Sequence, residues 1–158
     1  MSRALVPFFG MLLAALVALP ACTRSSHDAN DPRTRLNDYI AKSFNASSLA
    51  DKDAMLSYLT GDAKARLSAW SEDQFREAFI DSKRQFLKLV FQDTRKVSPS
   101  EVEITYEISY LDPERGKSAK VTNLKTSEMV FENGKWMIKD VHNIKELIEY
   151  QNEMSLPD

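Results

Sequence analysis

The sequence predicts an α+β fold, with N-terminal helices packed on a curved antiparallel sheet of about four strands and a short C-terminal helix. Three observations carry this expectation. Apolar residues between positions 36 and 80 recur at helical spacing, and those between 102 and 110 alternate strictly. Asn133-Gly134 separates two apolar runs, as a hairpin turn should.

Taken in order, Leu36, Tyr39, Ile40 and Phe44 form one helical face, which Asn45 to Ser48 bring to an end. Met55, Leu56 and Leu59 give a second short face that Gly61 breaks, and a further turn or two covers Ala63 to Trp70. Ser71 followed by Gln74 is a capping-box signature and opens a helix carrying Phe75, Phe79 and Ile80.

Strands follow. Phe86 to Phe91 is apolar and aromatic, with the turn Ser98-Pro99-Ser100 beyond it. In EVEITYEISYL, Val102, Ile104, Tyr106, Ile108 and Tyr110 point one way; Glu101, Glu103, Thr105, Glu107 and Ser109 point the other. The loop DPERGK, residues 112–117, comes next. The hairpin around Asn133-Gly134 sets Phe131 opposite Trp136, Met129 opposite Ile138 and Glu128 opposite Lys139. Asn143 with Glu146 resembles a helix cap, and Ile144, Leu147 and Ile148 would form the face of the terminal helix.

The chain has 158 residues, 43% hydrophobic and 28% charged, an ordinary globular balance. Its formal charge of −2 and the lack of any basic run give no footprint for nucleic acid. Cys22 is the only cysteine, so no internal disulfide can form and the fold rests on its core. Residues 34–154 are expected to form a single domain.

Ahead of that domain, Arg3 precedes an apolar stretch from Ala4 to Ala18, within the length of a signal-peptide core and interrupted by Pro7 and Gly10. Leu19-Pro20-Ala21-Cys22 resembles the lipobox of bacterial lipoproteins. The resemblance implies acylation of Cys22, removal of residues 1–21 as a signal peptide, and membrane attachment through lipid. Removing that segment takes away Arg3 and no acid, so −2 becomes −3. Two or more acyl chains hold a protein stably on a bilayer. Thr23 stands where an aspartate would resemble an inner-membrane retention signal, so the expected home is the outer membrane, facing the periplasm. Residues 22–33 are nearly all polar and read as a tether; His27 within them is a bystander.

Helices followed by an antiparallel sheet whose last hairpin reads NGKWMIKDV resemble the nuclear-transport-factor-two-like fold, also described as the SnoaL-like or cystatin-like cone. Gly134, Lys135, Trp136, Ile138, Asp140 and Val141 carry the likeness, with the block Leu36 to Ile80 ahead of them. That family holds enzymes, scaffolding subunits and lipoproteins, so membership does not select a function.

The chemistry on offer is sparse. His142 is the one histidine of the domain, and Asp140 stands two residues before it. Some enzymes of the resembled fold use a His/Asp couple, drawn from different elements. Here, i and i+2 on a strand share a face but lie nearly 7 Å apart, beyond hydrogen-bond reach unless the strand bulges. With one histidine, no second thiol and no ligand spacing, no metal site is expected. No Gly-rich phosphate loop or Gly-x-Ser-x-Gly elbow occurs, and no cofactor is implied. Tyr106, Tyr110, Met129, Phe131 and Trp136 would line an apolar pocket or fill the core. Glu101, Glu103 and Glu107 form an acidic stripe on a solvated face.

Three functions fit these features. The leading one is a lipid-anchored periplasmic domain that binds an envelope protein or small hydrophobic ligand without catalysis. The second is a SnoaL-like enzyme using Asp140 and His142. The third is a structural subunit of an envelope complex. Pairing with a second copy through a sheet face or edge is a further expectation.

Overall fold

A computed structural model of the protein describes residues 30–116 and 119–150. Cys22, the leader, most of the tether and residues 151–154 lie outside the described residues. Four helices come first: α1 (Pro32–Phe44), α2 (Ala50–Leu56), α3 (Gly61–Ala69) and α4 (Glu72–Phe75), the last continuing as a π-helical turn, Arg76–Ile80. Four strands follow: β1 (Gln85–Ser98), β2 (Glu101–Leu111), β3 (Ala119–Glu132) and β4 (Lys135–Tyr150). They form one antiparallel sheet in the order β1-β2-β3-β4. The fold is α+β, with helices before the sheet.

Local chemistry explains the helix boundaries. α1 begins at Pro32, two residues before the boundary read from sequence, because Asp31 caps it by accepting the Thr34 backbone N–H at 2.9 Å. Proline fits the first helical position, where its missing N–H costs nothing. Ser71 and Gln74 form the capping box reciprocally, at 3.1 and 2.9 Å.

Gly61 opens α3 with φ +51°, and a Cβ there would stand 3.1 Å from the Lys139 side chain. Glycine holds that backbone without strain, and its lack of a Cβ lets α3 approach β4 this closely. Just before it, Tyr58 to Thr60 lie along β4. Ile138 N–H donates to Tyr58 O and Thr60 N–H to Ile138 O, both at 2.9 Å. This parallel bridge covers the edge of β4 at Ile138.

The helices bury one face of the sheet. Leu36, Ile40, Met55, Leu59, Leu67 and Phe75 pack against Val102, Ile104, Tyr106, Ile108, Met129 and Ile138. Along β2, the five residues expected to point inward are all buried. Ser109, on the opposite face, is buried too, with its hydroxyl 3.0 Å from that of Thr122. The first turns of α1 touch both edge strands: Arg33 Nε donates to Thr94 Oγ1 of β1 at 2.7 Å, and Arg35 Nε to the Trp136 carbonyl of β4 at 3.2 Å. The sheet therefore curls around this helix.

The structure corrects the sequence reading in two places. Residues 143–150 are not a terminal helix but the second half of β4, paired with β3 from Ala119↔Tyr150 to Lys125↔Asn143. Ile144, Leu147 and Ile148 suit a helical face, yet a helix there would leave the N–H and C=O groups of Ala119 to Lys125 that face away from β2 without their ladder. Long-range pairing overrides local pattern. The hairpin register also slips. Phe131↔Trp136 and Met129↔Ile138 pair as expected, and Asn133 and Gly134 have φ of +51° and +79°, as a type I′ turn needs. Then Lys139 bulges, so Glu128 faces Asp140 rather than Lys139.

Phe75 is fully buried, with its ring 5.0 Å from that of Phe79. Phe75→Ala should cost about 3 to 5 kcal/mol in denaturant unfolding. Ser71→Ala, which removes only the cap, should cost about 1 kcal/mol. Equal effects would contradict this division between core and cap.

Candidate functional site

The sequence-derived candidates do not assemble into one site. Tyr106 and Met129 lie in the main core. Burial pushes the Tyr39 hydroxyl up to about 12 and raises that of Tyr106 as well, with the neighbouring Tyr39 adding to the second shift. Neither phenol ionises at physiological pH. Tyr110 is buried and accepts an N–H from the Asn123 side chain at 3.2 Å. Phe131 and Trp136 meet edge-to-face at 5.4 Å by the hairpin turn, and Phe131 is exposed. These five residues form packing contacts and share no cleft.

Asp140 and His142 approach more closely than the strand spacing implied. Their side chains lean along β4 beside the Lys139 bulge, and His142 Nε2 stands 3.3 Å from Asp140 Oδ2. It is also 3.4 Å from Glu128 Oε1. The bulge creates this cluster by setting two carboxylates, Glu128 and Asp140, opposite one another. Cations gather to offset the repulsion. Arg66 of α3 pairs with Asp140, and Lys139 Nζ stands 3.7 Å from Glu128. The Arg66 guanidinium, helped by the Val141 backbone N–H at 2.7 Å, holds the Asp140 carboxyl below the usual range.

His142 is more than half exposed, on the sheet face away from the helices. A shallow depression of about 230 Å³ nearby is lined by Arg95, Val97, Glu101, Glu103, Glu128 and Lys139, among others, but not by His142. The arrangement can carry a proton, yet it holds no substrate against the imidazole. Among the described residues, no group of three or more His, Cys, Asp or Glu side chains converges as a metal site. Likewise among those residues, no helix is long and apolar enough to cross a membrane.

A better-built concavity lies between α1 and the start of β1. It measures about 380 Å³, with a floor of Ile40, Ala41, Phe44 and Phe86 and a rim of Asn37, Asn45, Arg84 and Gln85. Phe44 meets Phe86 edge-to-face at 5.5 Å and Tyr110 at 5.6 Å, so the floor is fixed from beneath. Phe86 nevertheless remains 46% exposed. Arg84 is held in place on the rim. Its Nε donates to Ser82 Oγ at 2.7 Å, and its Nη2 donates to the carbonyl of Ala78 in the π-helical turn.

β1 is an edge strand whose outer side hydrogen-bonds to no other strand. Its pairing with β2 shifts at Leu87, Gln92 and Val97, leaving Lys88 to Phe91 as a regular stretch beside the groove. Such bulges, with Lys88, Arg95 and Lys96, blunt an edge against indiscriminate pairing. The apolar run Phe86 to Phe91 was readable as a strand. Its position at an edge beside a helix was not, because strand order is set by the whole chain.

No family model and no curated protein matches the chain. Among solved structures it is similar to the intermembrane-space region of the chloroplast protein ARC6. The TM-score is 0.49 at 16% identity, covering 72% of this chain and 95% of that one.

The Arg66–Asp140 pair gives a pH signature. An Asp whose folded value is depressed stabilises the fold above its unfolded value of about 4. That contribution is lost as pH falls from there through the lower folded value. Arg66→Gln should thus cost less than about 1 kcal/mol at pH 7, the pair being largely solvent-exposed on the arginine side. The variant and wild-type stabilities should converge in acid. A constant gap across the acid range would show that Arg66 acts through packing instead.

Proposed function

We propose that this is a lipid-anchored envelope protein whose domain binds a partner protein in the groove between α1 and β1. The observation that carries the binding reading is the exposed Phe86, seated on a fixed aromatic floor next to an unpaired strand edge. An extended segment can add to such an edge by main-chain hydrogen bonds while alternate side chains enter the groove. The regular stretch Lys88–Phe91 limits that segment to about four residues, which favours specificity over general stickiness. Lys83, Arg84 and Lys88 favour an acidic flank on the incoming chain.

Attachment rests on Leu19-Pro20-Ala21-Cys22 and the polar run that follows. Because α1 starts at Pro32, nine residues separate Cys22 from the first helix. Extended, they reach about 30 Å from a bilayer. The expectation drawn from Thr23 is the outer membrane, with the groove facing the periplasm.

Two measurements test the two halves separately. Intact mass of protein from solubilised membranes should start at Cys22 and carry acyl chains, and Cys22→Ser should abolish them. An unmodified full-length mass would remove the anchor. For the groove, a photo-crosslinking residue at Leu87 should give a discrete adduct in cells that Phe86→Asp reduces at least tenfold. Adducts from Thr105 on the opposite face, with none from Leu87, would move the binding surface elsewhere.

A further inference from the structure

The other edge of the sheet carries its own message. Tyr58 to Thr60 cover β4 only at Ile138, and from Asn143 to Tyr150 its outer side hydrogen-bonds to no other strand. Ile144 (57%), Leu147 (49%) and Tyr150 (60%) are exposed along this stretch. A bulge at Ile144 interrupts the stretch, and the regular open edge from Lys145 to Tyr150 that follows it invites a strand. Its sequence, KELIEY, says which one.

We propose that two copies of the chain join through this edge, antiparallel, about a two-fold axis at Leu147, forming one continuous eight-stranded sheet. In that register Leu147 faces its own copy. Lys145 faces Glu149 twice and Glu146 faces Ile148 twice, all within the regular run that follows the bulge at Ile144. Lys145, Leu147 and Glu149 share the face away from the helices, since they pair with Leu124, Thr122 and Lys120 of β3. Lys145 has no ion-pair partner among the described residues, whereas Glu149 is bonded to Lys120 at 2.8 Å and would stand between two lysines.

Neighbouring registers are worse. A sheet that keeps its faces must centre on a residue pair, and centring on Lys145, Glu146 or Glu149 puts like charges on the axis. Centring on Ile144 drives Tyr150 onto Ile138, where Tyr58 to Thr60 already sit. Centring on Ile148 sets Leu147 against Glu149 and leaves Lys145 without a glutamate opposite. The Leu147 register alone gives charge complementarity, apolar contact and about four to six inter-strand hydrogen bonds together.

Cysteine crosslinking in the full chain carrying Cys22→Ser, so that each introduced thiol is the only one, reads this register directly. Facing Cα atoms in an antiparallel pair lie about 4.5 to 5.5 Å apart, within disulfide range. Leu147→Cys should form a disulfide dimer under mild oxidation. Lys145→Cys alone should not, while a mixture of Lys145→Cys and Glu149→Cys chains should. By sedimentation, Lys145→Glu should weaken the dimer about tenfold, and adding Glu149→Lys should restore it. A wild type that sediments as a monomer at high concentration overturns the proposal, as does a Lys145→Cys chain that crosslinks with itself. Neither result touches the groove at β1, which faces away on the opposite edge.

Discussion

The architecture follows from a mismatch in length. β4 has 16 residues and, at about 3.3 Å each, runs about 50 Å; α1 has 13 and, at 1.5 Å each, about 20 Å. One layer of short helices cannot cover such a sheet from end to end. The helices therefore concentrate on the part that holds Val102 to Ile108, Met129 and Ile138. At this end, Arg33 and Arg35 of α1 hold both edge strands at once, curling the sheet around the helix. The Arg35 guanidinium also lies over the Tyr58 ring, 3.9 Å from its centroid, as part of the same clasp.

Past the helical layer the inner face changes character. Asn123 is buried with its side-chain oxygen unpaired, and burial lowers the pKa of Lys125 despite the opposing charge of Glu146. Register places these three on one face, with Glu146 directly opposite Asn123. Arg115 reaches Glu146 at 2.6 Å, and beyond them Tyr110, Ala119 and Val121 are again buried, outside the main core. On β3 and β4 a polar patch thus lies between two apolar regions, which β2 joins through Ile108 and Tyr110. Uncompensated polar burial of this kind costs free energy. The main core, with its large side chains from α1 to α4, offsets that cost.

Where local chemistry decides structure, the sequence was legible. The Ser71/Gln74 cap, the Asn133-Gly134 turn and the alternation of β2 each depend on residues a few positions apart, and each formed as expected. Where distant residues decide, it was not. The segment after Asn143 carries helical and strand patterns at once, and only the presence of Ala119 to Lys125 alongside selects the strand. The Lys139 bulge is equally silent in sequence, since Glu128 and Lys139 looked well matched across the turn. That one extra residue sets Asp140 opposite Glu128, where Arg66 pairs with it from another element. The groove floor joins α1 to β1 across more than forty residues, so no short motif could announce it.

Four strands are too few to close into a barrel, so both edges of this sheet stay open and must be managed by side-chain chemistry. The two are managed differently. β1 interrupts its pairing three times and carries Lys88, Arg95 and Lys96, leaving one short regular stretch beside an aromatic floor. β4 is covered at Ile138 by backbone from Tyr58 to Thr60, bulges at Lys139 and Ile144, and then runs on from Lys145 with charges spaced symmetrically about Leu147. The first pattern suits the brief foreign segment proposed above; the second suits the proposed second copy. Because the sheet is rigid between them, whatever docks at one edge holds a fixed geometry relative to the other. Under the lipid anchor proposed at Cys22, a chain tethered at that one point would by itself present its groove in every orientation. Two such chains joined through β4, as proposed, would restrict that freedom, with their two grooves at opposite ends of one sheet.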